Sequence, residues 1–255
     1  MTPSDEPYAL IRTLSVNYGS GGHASSHNHP WGQLLYAQSG AMRAKIENTI
    51  WFVPPRRALW IPPRTPHSFR MLGGVELRTL YLKNSLSADF EVAQVSQVTG
   101  LLHEAILRAC DFGWIDERND DQSRIAYLIL SELRSTKDSV ISLVEPKDPR
   151  ALKLSKLFMD PAFTQAGMDT LMSKAGVSRK TAERLFRRET GLAPAQWRRV
   201  WNLSLAMEQL NAGQSIDEVS EICGYANRSA FSTAFKEFMG LSPREFRARQ
   251  RQLST

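Results

Sequence analysis

The 255-residue sequence has only two cysteines, Cys110 and Cys223, far apart and in no Cys-x-x-Cys pair. That scarcity argues against a disulfide framework or a thiolate zinc site and fits a reducing compartment. No stretch approaches the roughly 18 consecutive apolar residues that a membrane-spanning helix needs. The opening Met1–Glu6 is acidic and lacks the basic-then-apolar order of a secretion signal, so a cytoplasmic protein without membrane association is expected. Proline is scarce in the second part, since ten of the 13 precede or occupy position 149. Acidic residues thin out there too. Residues 1–149 hold 15 Lys+Arg and 16 Asp+Glu, whereas residues 150–255 hold 17 and 10, a net of +7. A basic module beside a neutral one predicts a polyanion-binding domain joined to something else. Charge alone leaves open the alternative of a merely solvated basic surface.

From Tyr8 to about Leu82 the chain reads as β. Short apolar runs such as Gln33-Leu-Leu-Tyr-Ala, Thr49-Ile-Trp-Phe-Val and Leu59-Trp-Ile are separated by Gly and Pro. Such punctuation predicts a small β-barrel or sandwich. From about Ala88 the period becomes helical, with Val95, Val98, Leu102, Ala105 and Ile106, then Ile125, Leu128, Ile129 and Leu133. Two accessory helices are expected, packed on the barrel, on each other or on a second subunit. Glu145-Pro-Lys-Asp-Pro149 reads as a linker, because paired prolines disfavour helix continuation. The expected chain is α+β with two domains: a β domain with two helices over 1–145 and an all-α domain over 150–255.

The second part contains a repeat. Asp169-Thr-Leu-Met-Ser-Lys-Ala-Gly-Val aligns with Asp217-Glu-Val-Ser-Glu-Ile-Cys-Gly-Tyr, 48 positions on. After one extra residue, Phe186 pairs with Phe235, Gly191 with Gly240, Pro194 with Pro243 and Trp197 with Phe246. Two copies are too few for a solenoid and indicate a duplicated supersecondary unit. Each copy reads as helix, glycine turn, helix. In the first, Gly176 ends a helix and Ser178 caps the next. In the second, Ser215 and Glu218 form a capping box, Gly224 makes the turn and Asn227 caps. Ser242 and Glu245 form another box, with Pro243 at the first helical position. A helix opening at Pro194 joins the copies, with Val200, Leu203, Met207 and Leu210 on one face beside Trp197 and Trp201.

A helix-turn-helix buries one face and offers its second helix to the major groove. In the first copy, outward Arg179, Lys180, Glu183, Arg184, Arg187 and Arg188 surround inward Ala182, Leu185 and Phe186. In the second, Asn227, Arg228, Ser229, Ser232, Thr233 and Lys236 surround Ala230, Phe231 and Phe235. Arg binds guanine bidentately, and Lys and Arg contact phosphates. Duplication, charge segregation and outward Arg together favour DNA binding over a helical bundle with a soluble basic face. The sequence here resembles the AraC/XylS family of transcription regulators. The match runs through Gly191-Leu-Ala-Pro194, Ala206, Leu210, Ile216-Asp-Glu-Val219, Gly224-Tyr, the run from Ser229 to Lys236 and the run from Gly240 to Arg247. The resemblance implies a seven-helix domain that places two recognition helices in successive major-groove segments. It maps base contacts onto Lys180, Glu183 and Arg184, and onto Arg228, Ser229 and Thr233. The family often has Arg or Gln in the second set, so short Ser229 and Thr233 imply weaker readout there.

In the first part, Gly21, His27-x-His29, Gln33 and Gly40 resemble the first motif of the cupin barrel, with Gln33 where metal-binding cupins usually have Glu. Pro62-Pro-Arg-Thr-Pro-His67 resembles the second. The resemblance implies that His27, His29 and His67 converge in the barrel mouth with Gln33, as ligands for a divalent transition metal. Regulatory cupins often bind an organic ligand instead. His27, His29, Gln33, Tyr36, Trp60 and His67 are then the candidate lining of an effector pocket. A third reading has the histidines merely hydrogen-bonded at a polar barrel end. Trp31, Tyr36, Trp51, Trp60 and Phe69 read as barrel core, some of them lining whatever cavity exists. Together these readings predict a sequence-specific DNA-binding transcription regulator that is not an enzyme. It is expected to answer to a small-molecule effector or a metal, to form a homodimer, and to touch RNA polymerase if it activates. Two alternatives stand beside it. One is a metal-dependent cupin enzyme fused to a DNA-binding domain, which Gln33 in place of a carboxylate disfavours. The other is an architectural DNA binder that senses nothing.

Overall fold

The computed structural model describes residues 7–19, 21–135 and 142–251, and the acidic Met1–Glu6 stretch lies outside them. The chain divides into two compact units, Met1–Glu47 with Phe52–Val140 and Asn48–Trp51 with Ile141–Thr255. Among the described residues, no helix is long and apolar enough to cross a membrane.

Eight strands follow one another through short turns: β1 (Ala9–Tyr18), β2 (His23–His27), β3 (Gly32–Ser39), β4 (Met42–Ile46), β5 (Thr49–Val53), β6 (Arg57–Ile61), β7 (His67–Met71) and β8 (Val75–Leu82). Three short strands come later, β9 (Gln94–Gln97), β10 (Trp114–Asp116) and β11 (Ser142–Val144). They form two sheets, in the orders β10-β1-β8-β3-β6-β9 and β11-β5-β4-β7-β2. β11 and Thr49–Trp51 of β5 belong to the second unit. The sheets do not close into the expected barrel. β2, for example, is an edge strand whose one neighbour is β7. Gly40 must be glycine: its φ is +77°, and an added Cβ would lie 2.2 Å from the Gly74 carbonyl.

Helices α1 (Asn84–Ser87), α2 (Gly100–Phe112) and α3 (Asp120–Ser135) complete the first unit. Leu102, Ala105, Ile106 and Ala109 of α2 and Ala126, Ile129, Leu130 and Leu133 of α3 share one core with Ile11, Leu34, Tyr36, Trp60 and Leu80 of the six-stranded sheet. Both accessory helices therefore pack on the sheet and on each other. Each such Leu or Ile contributes about 1.5–3 kcal/mol by leaving water. Val95 and Val98 are not helical, contrary to their spacing. Val95 sits opposite Leu59 in the β6–β9 pair, and the Val98 amide donates to the Arg56 carbonyl at 3.0 Å. Sheet pairing overrides the local period, and α2 begins only after Thr99, whose hydroxyl accepts from the Leu102 amide at 3.1 Å.

The second unit holds seven α-helices among the described residues: α4 (Pro149–Met159), α5 (Met168–Ala175), α6 (Arg179–Thr190), α7 (Pro194–Asn211), α8 (Ile216–Ile222), α9 (Arg228–Met239) and α10 (Pro243–Arg251). The repeat has a packing counterpart. Phe186 meets Trp197 edge to face with ring centroids 6.2 Å apart. The aligned Phe235 and Phe246 meet edge to face at 5.7 Å. Each copy thus has its own aromatic core. The joining helix α7 serves both, which is why Trp197, Trp201, Leu203, Met207 and Leu210 are all buried.

Candidate nucleic-acid interface and histidine site

The two helix-turn-helix units are α5–α6 and α8–α9. Gly176 turns the first with φ +69°, and Gly224 turns the second with φ +77°. The Ser178 hydroxyl accepts from the Thr181 amide at 3.3 Å, and Asn227 Oδ1 accepts from the Ala230 amide at 2.9 Å. These caps fix the N-terminal ends of α6 and α9, the ends that a recognition helix turns toward the bases.

On α6, Ala182, Leu185 and Phe186 are buried, while Arg179, Lys180, Arg184, Arg187 and Arg188 are exposed. Several of these cations have acidic neighbours. Arg179 reaches Asp169 at 2.6 Å, and Arg187 reaches Glu183 at 3.5 Å. Exposed pairs of this kind are worth about 0–1 kcal/mol, so DNA can displace them. Arg188 is placed differently. Its partner Glu189 also accepts from the Lys147 and Asp148 amides at 2.8 and 3.0 Å. The Asp148 amide, then Arg188 itself and the Lys147 amide, hold the Glu189 carboxyl below its usual range, and the two amide bonds tie Arg188 toward the start of α4. Lys180 and Arg184 have no acidic partner among the described residues.

On α9 the buried stripe is Phe231, Ala234, Phe235 and Phe238. Ala230, expected inside, is exposed because it lies one residue ahead of that stripe. Arg228, Ser229, Thr233 and Lys236 are exposed, and Arg228 lies 3.4 Å from Asp217.

The histidines of the first unit meet. His27 ends β2, His29 lies in the following turn and His67 opens β7 opposite His27. One ring nitrogen from each lies within 4.8 Å of the other two. In all three rings Nδ1 is tied to a backbone carbonyl: His27 to Ser25 at 2.8 Å, His29 to Trp31 at 2.7 Å and His67 to Thr65 at 2.8 Å. A carbonyl only accepts, so these bonds put the proton on Nδ1 and leave Nε2 as a lone pair. Nε2 of His67 is buried with no partner among the described residues. Burial is the main reason its pKa falls to about 4, with the neighbouring His27 and His29 adding to the drop. Gln33 is buried beside them. Its Oε1 lies 3.1 Å from His29 Nε2, and its amide nitrogen donates to Thr79 Oγ1 at 3.0 Å. The other amide orientation would donate to a neutral His29 and accept from the Thr79 hydroxyl.

Two expected pocket residues lie elsewhere. Tyr36 is three residues beyond Gln33 on an unbroken part of β3, and Trp60 pairs with Leu34. Odd separations point to opposite faces, so Tyr36 and Trp60 belong to the helix-covered core. The Tyr36 hydroxyl bonds His103 Nδ1 of α2 at 2.8 Å, and Trp60 Nε1 donates to the Phe90 carbonyl at 2.9 Å. Gly32 accommodates the Trp60 indole, since a Cβ there would lie 2.1 Å from the ring. The residues that do join the histidines are Thr79 and Tyr81 of β8, with the Tyr81 ring 5.1 Å from His29. Their alternation with buried Leu80 and Leu82 is visible in the sequence, but pairing of β8 with β3 is not.

Known proteins place the chain. Residues 171–249 match the family described as "Helix-turn-helix domain", and residues 14–127 match "AraC-like ligand binding domain". Over 223 residues the chain is 26% identical to the HTH-type transcriptional regulator NimR of Escherichia coli (strain K12), covering 88% of this chain and 82% of that protein. The DNA-binding domain of AdpA, a global transcriptional factor solved in complex with a target DNA, is 32% identical at a TM-score of 0.37, over 42% of this chain and 96% of that one. ToxT from Vibrio cholerae aligns over 94% of this chain and 98% of its own, with 12% identity and a TM-score of 0.38. The chain belongs to the AraC-type transcription regulators, with a helix-turn-helix DNA-binding domain following a ligand-binding domain.

Proposed function

We propose that this regulator reads base edges mainly with α6 and responds to a divalent transition metal held by His27, His29, His67 and Gln33. The observation that carries the metal reading is the set of three imidazoles with every Nδ1 tied to a carbonyl and their ligand nitrogens grouped within 4.8 Å. Such outer hydrogen bonds orient the rings of metal-binding histidines. The donors are all neutral nitrogen and amide oxygen, which suits zinc, iron, nickel or copper better than magnesium or calcium. A bound metal would supply a divalent charge that joins the end of β2, the next turn and the start of β7. Differential affinity for that arrangement is what shifts a regulator between states.

A second reading keeps the site and changes the occupant. Gln33, Thr79 and Tyr81 add polar groups beside the histidines, as a small organic effector requires. Under either reading the chain acts by binding, not turnover, and works in the cytoplasm. Exposed Leu101 on α2 and Tyr127 on α3 support pairing into a homodimer. RNA polymerase is a further partner if the regulator activates.

Metal analysis tests the proposal. Chelator-treated full-length protein, offered zinc, ferrous iron, nickel or copper, should take up about one equivalent per chain. A His29→Ala/His67→Ala double variant should take up none, and operator affinity should differ between loaded and stripped wild type. A folded wild type that takes up none of these metals would sink the metal reading. An operator affinity shifted by small organic molecules, and lost in the same double variant, would then favour the second.

A further inference from the structure

Between the helix-turn-helix units, a cleft of about 520 Å³ opens beside the first turns of α7. Its walls are the segment before α5, the residues Ala195, Arg198, Arg199 and Asn202 of α7, and the turn from Cys223 to Tyr225 ahead of α9. The lining includes two arginines and no acid. The two arginines have different duties. Arg198 is consumed by the fold: its guanidinium donates to the carbonyls of Phe163, Thr164 and Ala166 at 3.2, 2.6 and 2.7 Å. Arg199 is exposed and makes one hydrogen bond, from Nε to the Tyr225 hydroxyl at 3.1 Å. Its guanidinium carbon lies 5.8 Å from the centre of the Tyr225 ring. Both terminal nitrogens are left without a partner among the described residues.

We propose that Arg199, steadied by Tyr225, clamps a phosphate of the DNA backbone between the two major-groove segments read by α6 and α9. The proposal rests on DNA binding by this unit and adds a contact outside both recognition helices. Three physical features support it. A guanidinium anchored through Nε presents its two remaining amines as a fork, which matches two phosphate oxygens. The tyrosine contact restricts an otherwise mobile side chain, so less entropy is lost when DNA arrives. Tyr225 stands three residues before the first residue of α9, and the leading end of a recognition helix is the end nearest the bases. Asn202 adds a second polar group to the cleft wall. It is 6% exposed, and its Oδ1 has no partner among the described residues. In the other amide orientation it would offer N–H groups to the same anion.

The test is a salt titration of the full chain on an operator duplex and on a scrambled duplex. In Arg199→Gln the slope of log affinity against log salt should become shallower by about 0.9, the value for one lost phosphate contact. Affinity should fall by the same factor on both duplexes, because a phosphate carries no sequence. Arg199→Lys should keep the wild-type slope, since the charge remains. An unchanged slope in folded Arg199→Gln overturns the proposal, and so does a loss confined to the operator. Ethylation interference on the wild-type chain gives a check that needs no variant. It should reveal a sensitive phosphate between the two major-groove segments, and that phosphate should become insensitive in Arg199→Gln. No sensitive phosphate there also overturns the proposal.

Discussion

A guanidinium and a lone hydroxyl bind base edges with different force, and the matching positions 184 of α6 and 233 of α9 differ in this way. Arg184 is exposed at the centre of α6 without an acidic partner among the described residues, whereas the matching region of α9 presents Thr233. Arg184→Ala should cost roughly 1–3 kcal/mol of binding and relax preference at one base pair, as loss of a bidentate contact does. Thr233→Ala should cost less. Mobility-shift titrations against the operator and its single-base variants measure both, and a larger loss at Thr233 would reverse the ranking of the helices. At this scale the sequence is informative where chemistry and spacing coincide. His27 and His29 are two apart, and His67 follows a proline-rich turn, so their convergence is legible. Tyr36 and Trp60 are misleading because an apolar ring near a site in sequence can face away from it across a sheet. Arg199 is silent for a related reason. On the helix that joins the two copies, nothing local distinguishes it from Arg198, and only the fold shows which of the two is already satisfied.

Secondary-structure elements were legible where both a period and a stop signal were present. The second unit has both: glycine turns at Gly176 and Gly224, capping boxes at Ser215 and Ser242, and prolines at the starts of α7 and α10. Its helices accordingly lie where capping and periodicity place them. β9 and β11 are short and lack their own signal. Each exists because a distant strand, β6 or β5, supplies the hydrogen bonds. That information is tertiary, and it also explains why Val95 imitates the first turn of a helix. The caps carry function as well as stability. Asn227 holds the first turn of α9, which carries Arg228 and Ser229, the residues that the family resemblance maps onto base contacts. Asn227→Ala should therefore lower stability of the second unit by about 0.5–2 kcal/mol. It should also weaken operator binding at a temperature where the unit remains folded. Thermal melting and DNA titration of the same sample check both. A variant with lower stability and unchanged DNA affinity would confine the cap to a folding role.

For the whole molecule, charge is partitioned more sharply than structure. Residues 150–255 carry +7 while residues 1–149 carry −1. The helices and both aromatic cores of the second unit lie within residues 142–251. Residues 142–148 are tied to those helices, since Trp197 Nε1 donates to the Val144 carbonyl at 2.9 Å and Glu189 accepts from the Lys147 and Asp148 amides. A fragment spanning 141–255 should therefore fold, losing mainly the pairing of β11 with Thr49–Trp51. Salt should govern its DNA binding, because cations that neutralise phosphates release condensed counterions. With six to ten phosphate contacts, affinity should drop by about 10³–10⁵ between 50 and 200 mM salt. On a duplex with a single site, fragment and full chain should show slopes within about one of each other, because the first part brings no excess of cations. On a duplex with two sites, a paired full chain should bind more tightly than the fragment, since the second site is then engaged at a high effective concentration. Fluorescence titrations of both proteins across that salt range decide the matter. A folded fragment with no measurable affinity at low salt would mean that the charge of the second unit does not by itself hold DNA. The first unit would then have to supply contacts that its composition gives no reason to expect.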